Sequence, residues 1–543
     1  MKLRRKTLSA ALLAGLSAMG VTGTTHAVHI NPDGLGQFLI YPYYTVRDGN
    51  VTAMSIINTT SLTKAVKVRF LEGKNSREVL DFNLFLSPTD VWTGVILPTQ
   101  DGAKLESGDN SCVTPSDLFG NAAGVVRNDV RDLPINAFKN TQYTGMNADN
   151  ASFIFLDRTR EGYIEVVEMG IVTDATLQGY IKHSSEGVAT NCAALDGYDP
   201  MSGPVGPQVK FPGPYLASPG GGLTGRGSII NSANGTNYTY DITALDGWWE
   251  PLVPGPGNVP YSAAGSTAPS ISLQDGISTV SYVPVSGSQT NPNSTGVVRA
   301  VWASSREAVS AVFMRNSVIN EFVTDAGSVS RTDWVVTMPT KRDNIGVGMN
   351  TIIRPTRPFT NSFGNPDSFS FGACDIYTLG IFNREGGTLP PQPPALIIGV
   401  PPPAVRNSGQ SLCWSANVVE FGPRNLLGSI NNYRLQGAAD QFATTSATTT
   451  GAAFATFSRR VLQGPNGWAV LGFGINITTT QERQSLTPLS ATLNGVPITG
   501  THFGLPVVGA MFHNYTNSGV NSSYGSVIPH KFTRQIEVVN RAP

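Results

Sequence analysis

The sequence has little charge and few histidines. Only 14% of its 543 residues are charged, and 37 basic residues balance 37 acidic ones. A disordered chain would carry more net charge and fewer apolar residues than the 40% found here. A nucleic-acid-binding protein would carry a basic block, and none follows residue 6. Both classes are therefore excluded.

Motifs for catalysis and metal binding are also missing. The chain after the leader contains no G-x-S-x-G elbow, no phosphate-binding G-x-x-x-x-G-K and no C-x-x-C. Three of the six histidines in the whole sequence, His502, His513 and His530, follow residue 501, but their spacing does not place two on one helix turn. We therefore expect no cofactor and no metal site, and we favour a non-enzymatic role over a hydrolase with an unrecognised site.

The one apolar run long enough to notice lies at the start of the chain. A basic segment that includes Arg4 and Arg5 precedes an apolar stretch from Leu8 to Val21, and Thr25-His26-Ala27 follows. This order is typical of a secretory signal peptide, and the apolar stretch is shorter than the roughly 20 residues of a membrane span. The sequence predicts a signal peptide over residues 1–27, cleavage after Ala27, and an extracellular or cell-surface protein, with the periplasm as the alternative.

Cysteine is rare, with four residues in the whole chain: Cys112, Cys192, Cys374 and Cys413. All four lie in the exported part, and an oxidising compartment favours disulfides. Three pairings are possible. We favour Cys112 with Cys192 and Cys374 with Cys413, because each bond then closes a loop within one half of the chain.

Period-two alternation dominates the segment from Val51 to Leu97. Its clearest run places Val66, Val68 and Phe70 on one side of Lys67 and Arg69. Such alternation predicts antiparallel strands with one buried face. The predicted fold class is mainly β: an antiparallel β-sandwich, immunoglobulin-like in its N-terminal part, with long Gly/Pro-rich loops.

The 58 glycines and 37 prolines divide the chain. Residues 199–226, 250–270 and 386–404 are typical of loops or linkers, whereas Asn234-Gly235 predicts a hairpin over Ser228–Ile242. The spacing of apolar residues favours a helix over Arg306–Val323, with a strand as the alternative. The predicted organisation is a β-sandwich region at 28–200, Gly/Pro-rich loops with a hairpin at 201–275, and a second β-rich region at 276–543.

Dense aromatic residues are the remaining candidates for a site. Tyr41, Tyr43, Tyr44, Trp248 and Trp249 lie in two short clusters. Exposed aromatic rings in a secreted β-protein stack on sugars or anchor a partner. These five residues are the predicted ligand-binding residues, although the apolar run before Tyr43 favours packing in the core for the first cluster.

Several segments together resemble a group of uncharacterised exported proteobacterial β-rich proteins. The segments are Leu39–Tyr44, Asn58–Thr60, Ala65–Pro88, Met338–Lys341 and Gly504–Gly509. The resemblance implies export from a Gram-negative cell and supplies no catalytic residue.

Export, scarce ionisable residues and a β scaffold rich in Ser, Thr, Asn and Gly favour a structural or adhesive protein. A secreted module that binds a glycan or an apolar ligand is the alternative. The predicted partners are other copies of the chain in a surface assembly, or a glycan or other surface component, and not nucleic acid.

Overall fold

A computed structural model describes residues 26–119, 135–147, 155–199, 213–251, 258–272, 275–285, 295–324, 330–345, 356–359, 375–384, 410–421, 426–435, 466–474, 484–517 and 522–538. The predicted Pro-rich loop at 386–404 lies outside these ranges, as do residues 200–212 of the loop predicted at 199–226.

The strands of the first half run in the following order: β1 His29–Ile30, β2 Phe38–Thr45, β3 Val51–Asn58, β4 Lys64–Glu72, β5 Glu78–Leu86, β6 Val91–Pro98, β7 Ala103–Glu106, β8 Cys112–Thr114, β9 Glu161–Val172, β10 Leu216–Ala217, β11 Leu223–Asn231, β12 Thr236–Asp241 and β13 Thr243–Asp246. Helix α1 spans Ala175–Ile181, and short 3-10 helices span Thr141–Tyr143, Gly145–Asn147, Leu156–Arg160, Cys192–Gly197 and Gly213–Tyr215.

The strands of the second half are β14 Val280–Val285, β15 Gly296–Val301, β16 Met314–Arg315, β17 Ser317–Val323, β18 Arg331–Thr337, β19 Asp375–Asn383, β20 Gln410–Leu412, β21 Ala416–Phe421, β22 Asn432–Leu435, β23 Asn466–Gly472, β24 Ser485–Leu486, β25 Ser490–Leu493, β26 Val496–Ile498, β27 His502–Phe503, β28 Leu505–Pro506, β29 Ala510–Asn517, β30 Ser522–Pro529, β31 Lys531–Thr533 and β32 Gln535–Ile536. Helices α2 and α3 span Ser305–Phe313 and Lys341–Ile345.

Two antiparallel sheets form a sandwich in the first half, which confirms the predicted fold class. The larger sheet has eight strands in the order β1-β13-β2-β9-β4-β5-β8, with β10 beside β9, and the smaller has the order β12-β11-β3-β6-β7. Strand β3 alternates buried and half-buried residues, so that Met54 and Ile56 point into the sandwich. They meet Val66 and Val68 of the larger sheet in one core.

The prediction of a single buried face is wrong for the centre of the larger sheet. All nine residues of β4 are buried, including Lys67 and Arg69. The segment 258–272 lies over this polar face, and the carbonyl oxygens of Ala263 and Pro269 accept hydrogen bonds from Lys67 and Arg69 at 2.7 and 3.0 Å. The described part of the predicted loop at 250–270 that begins at residue 258 is therefore a cover for the sheet rather than a linker.

The predicted boundary at residue 200 also differs from the structure. The hairpin around Asn234-Gly235 is present, as β11 and β12. It does not sit among separate loops, because β11 pairs with β3 and completes the smaller sheet of the sandwich. Strands β10 and β13 likewise join the larger sheet.

The segment predicted as one helix divides into a helix and a strand. Ser304 caps α2 through its hydroxyl, which accepts the backbone N–H of Glu307 at 3.3 Å. The helix ends at Phe313, and Ser317–Val323 continues as strand β17. Val318 and Phe322 of this strand pack into a core. They are four residues apart, and residues at this spacing share a face both in a helix and in a strand, so the spacing did not distinguish the two.

The second half packs directly onto the first. Sheets β22-β21-β18-β29-β30 and β20-β19-β23-β17-β31 face each other across a core that contains Trp334 and Phe421. The opposite face of the former sheet contributes Val335, Val418 and Phe512 to the core of the N-terminal sandwich. Among the described residues, every strand pair except the parallel pair β21–β22 is antiparallel. No helix in the described parts of the chain is long and apolar enough to cross a membrane.

Candidate functional site

Ion pairs cross the polar face of the larger sheet. They join Lys67 to Asp81 at 2.8 Å, and Arg69 to both Glu78 at 2.8 Å and Glu165 at 2.7 Å. A further pair, Lys64 with Glu168 at 2.6 Å, lies on the other face of the same sheet, where Glu168 is the register partner of Val66. Each of these side chains is at most 6% exposed. Because every cation faces a carboxylate, this face can be buried without leaving an unpaired charge.

Arg69 lies between two carboxylates. Burial raises the pKa of Glu78 and of Glu165 to about 7, and one guanidinium only partly offsets the effect. Such a group could exchange a proton near neutral pH. The carbonyl of Pro269 covers the guanidinium from the other side, so the cluster lies in the interior and holds the cover segment on the sheet.

A second buried cluster surrounds Glu72 at the end of β4. Its carboxylate accepts the backbone N–H groups of Lys74, Asn75 and Arg77 at 2.7, 2.9 and 2.9 Å. Arg158 approaches the same carboxylate through two nitrogens. The glutamate therefore fixes the shape of the loop between β4 and β5. In an exposed turn, water would bind these N–H groups instead.

Lys74 extends this cluster into the second half of the chain. Its ammonium donates to the side-chain oxygen of Asn431 at 2.9 Å and lies 3.9 Å from the ring centroid of Trp414. Burial, reinforced by the positive charge of Arg158, lowers the pKa of Lys74 to about 7.

Glu161 joins the two halves at a neighbouring point. Its carboxylate accepts the Tyr43 hydroxyl at 2.8 Å and the Arg47 guanidinium at 3.0 Å, both from the sandwich. It also accepts the backbone N–H of Ile430 at 3.0 Å and the hydroxyl of Ser429 from the second half. These charges act as structural links between the halves.

The five aromatic residues predicted to bind a ligand are all buried. Tyr41, Tyr43, Tyr44 and Trp248 are fully buried, and Trp249 is 4% exposed. The hydroxyls and indole nitrogens have partners inside the protein, such as the carbonyl of Ile271 for Trp248 at 2.9 Å. The prediction of a stacking site therefore needs correction, because a ring enclosed in a core offers no face to a ligand. The preference for core packing of Tyr43 agrees with the structure.

One of the two preferred disulfides is present. Cys112 and Cys192 are bonded across a separation of 80 residues and join β8 to a 3-10 helix. Cys413 is also in a disulfide. Its preferred partner, Cys374, lies outside the described residues.

The three histidines near the end of the sequence, His502, His513 and His530, each contact a different partner. His502 contacts the carbonyl of Gly500, His513 contacts the Thr332 hydroxyl, and His530 contacts the carbonyl of Val335. Burial lowers the pKa of each to about 4. In the described parts of the chain, no three His, Cys, Asp or Glu side chains converge as a metal site would require.

Exposed aromatic residues occur instead on the hairpin of β29 and β30, which the sequence reading missed. Tyr515 and Tyr524 are directly opposite each other in the register and are 41% and 58% exposed. The ring of His513 lies 4.0 Å from that of Tyr515. The sequence signal for this strand was its period of two, in which Tyr524, Ser526 and Ile528 share one face and Gly525 and Val527 the other.

No family model, no curated protein and no solved structure matches the chain.

Proposed function

We propose that this chain is an exported, non-enzymatic protein that acts outside the cytoplasm as a structural or adhesive component of the cell surface. Its resemblance to exported proteobacterial proteins and its leader support export. The interior charges support a scaffold role, since the clusters around Arg69, Glu72 and Glu161 hold strands and covers together.

The exposed pair of Tyr515 and Tyr524 carries the adhesive part of the proposal. Cross-strand aromatic rings on a hairpin form a rigid contact surface. Each tyrosine has only two side-chain torsions, so that its large ring is fixed on binding at little cost in conformational entropy. The hairpin also has Ser526 and Ile528 on the same face as Tyr524. Such a mixed surface suits contact with a second copy of the chain or with another surface component.

Cell fractionation combined with an adhesion assay tests the proposal. We expect the protein in the outer-surface or extracellular fraction, in assemblies larger than a monomer by non-reducing size exclusion. Tyr524→Ser is expected to reduce assembly or adhesion. Phe155→Ser is the matched control, because Phe155 is 69% exposed but lies elsewhere on the surface. A monodisperse periplasmic monomer, or an equal effect of both variants, would contradict the proposal.

A secreted glycan-binding module is the second candidate. It is favoured by polar side chains that converge beside the other face of the same hairpin, where Asn514 and Thr516 lie.

A further inference from the structure

A narrow cleft lies where the two halves of the molecule meet beside the hairpin of β29 and β30. Strand β12 is an edge of the smaller sandwich sheet, and β30 is an edge of the second-half sheet. The two edges approach closely at Gly525, where an added Cβ would lie 2.7 Å from the ring of Tyr238.

The lining of the cleft is almost entirely polar. It consists of Asn50, Asn231, Asn234, Thr236, Tyr238, Arg331, Leu426, Asn514 and Thr516. This set contains four amides, three hydroxyls and one guanidinium, and it has no carboxylate. Arg331 is the one charged side chain of the lining, and the carboxylate of Asp333 lies behind it, where it accepts the backbone N–H of Leu426 at 2.9 Å.

Asn50 is held rigidly in the wall of the cleft. It closes the turn after β2, with its backbone N–H donating to the carbonyl of Arg47 at 2.9 Å. The side-chain nitrogen of Asn231 donates to the carbonyl of Asp48 at 2.9 Å and to the side-chain oxygen of Asn50 at 3.2 Å. The oxygen of the Asn50 amide is thus engaged by its neighbour, which fixes the orientation of the amide.

Three polar groups at this site have no partner in the described parts of the chain. They are the side-chain nitrogen of Asn50, a residue that is 1% exposed, Nε of Arg331 and the hydroxyl of Tyr238. A buried donor without an acceptor is unfavourable, and such groups at a polar opening indicate a ligand or water. Tyr238 adds a neutral hydroxyl, since burial raises its pKa to about 12.

We propose that this cleft binds the acidic group of an anionic saccharide, with the carboxylate on Arg331 and the neighbouring hydroxyls on the amides and Thr516. A guanidinium recognises a carboxylate through paired N–H groups, and side-chain amides can both donate to and accept from sugar hydroxyls. The narrow opening admits one functional group, so the rest of the sugar lies outside against Asn234 and Thr516. This inference deepens the proposed function, since it names the ligand class of an adhesive protein.

Isothermal titration of the full mature protein tests the site with defined probes. Glucuronate is the acidic sugar, glucose is the neutral sugar, and acetate and sulfate are anions without a sugar ring. We expect saturable binding of glucuronate that exceeds binding of each other probe. Equal binding of acetate or sulfate, or no saturable binding of glucuronate, would overturn the proposal.

Variants locate the binding. Arg331→Gln is expected to weaken glucuronate binding at least about tenfold, the effect of one charge-assisted hydrogen bond, and Thr516→Val to weaken it less. Arg226→Gln is the matched control, because Arg226 is an exposed arginine outside the cleft. Circular dichroism melts confirm that each variant is folded, and an equal loss in Arg226→Gln would refute the assignment to the cleft. Localisation and adhesion are measured separately, so glucuronate binding by a periplasmic monomer would contradict the proposed function and leave the cleft intact.

Discussion

Arg158 and Glu72 form a two-point ion pair in the interior. Nε of the guanidinium lies 2.7 Å from one carboxylate oxygen, and a terminal nitrogen lies 2.8 Å from the other. The side chains are 1% and 0% exposed. The pair connects a 3-10 helix before β9 to the end of β4, two segments that are 86 residues apart.

Replacement of Arg158 is expected to destabilise the protein strongly. Arg158→Met leaves the Glu72 carboxylate without its guanidinium, and breaking a buried pair in this way costs about 3–5 kcal/mol. Denaturant unfolding measures the loss. The control is Arg226→Met, which breaks an exposed pair with Asp241 and should change the free energy of unfolding by less than about 0.5 kcal/mol. Similar losses in both variants would contradict the interior role of Arg158.

Trp249→Ala is expected to lower the free energy of unfolding, because the ring packs in the core and is not exposed to a ligand. The ring lies 6.0 Å from that of Trp248, and its removal from the core should cost about 3–5 kcal/mol. Thermal unfolding checks this value. Trp468→Ala provides a comparison, since Trp468 is 39% exposed and its loss should be smaller. An unchanged melting temperature for Trp249→Ala would contradict the enclosure of Trp249 in the core.

The bond between Cys112 and Cys192 should stabilise the first half. Chain entropy for a separation of this length predicts about 4–5 kcal/mol, and natural disulfides give roughly 2–5 kcal/mol in practice. Unfolding of a Cys112→Ser/Cys192→Ser variant measures the contribution. A free energy of unfolding equal to that of the parent protein would contradict it.

Acid should destabilise the protein through its buried histidines. Burial lowers the folded-state pKa of His502 to about 4, while the unfolded value stays near 6.5. The unfolded state therefore binds more protons in this window, and the contribution of His502 is complete above pH 6.5 and lost as pH falls towards 4. The shift corresponds to about 3 kcal/mol.

The variant His502→Gln isolates this effect from other titrating groups. Its stability should fall less steeply than that of the parent protein between pH 6.5 and 4, as measured by denaturant unfolding at each pH. The comparison is needed because Glu165, whose pKa is raised to about 7, acts with the opposite sign: its contribution is present below about pH 4.5 and lost as pH rises towards 7. Parallel pH profiles for variant and parent would refute the prediction for His502.

Processing after Ala27 should leave Val28 as the first residue. The backbone N–H of Val28 donates to Val280 at 2.8 Å, and its carbonyl accepts from Tyr282 at 3.0 Å, so the residue after the predicted cleavage site already belongs to the fold. Because Ala27 is 4% exposed, cleavage is expected before folding. Amino-terminal sequencing of the exported protein checks the site, and Ala27→Lys should block cleavage. A first residue other than Val28 would show a different site.

Local patterns in the sequence were enough to predict the class of fold and to favour one disulfide that the structure contains. Alternation around Val66 and Val68 predicted antiparallel strands because side chains on a strand point to opposite faces in turn, a local rule. Asn234-Gly235 predicted its hairpin for a similar local reason. The preference for Cys112 with Cys192 followed from their separation along the chain.

What covers each surface depends on the packing of segments that are distant in the sequence. Lys67 and Arg69 have the local pattern of a solvated face, yet residues 258–272 fold over them and ion pairs make burial possible. Trp248 and Trp249 are enclosed in the same way, whereas Tyr515 and Tyr524 remain outside. Burial depends on segments far apart in sequence, so local periodicity cannot determine it. The cleft at Asn50 and Arg331 arises for that reason too, because it forms only where two sheet edges from different halves of the chain meet.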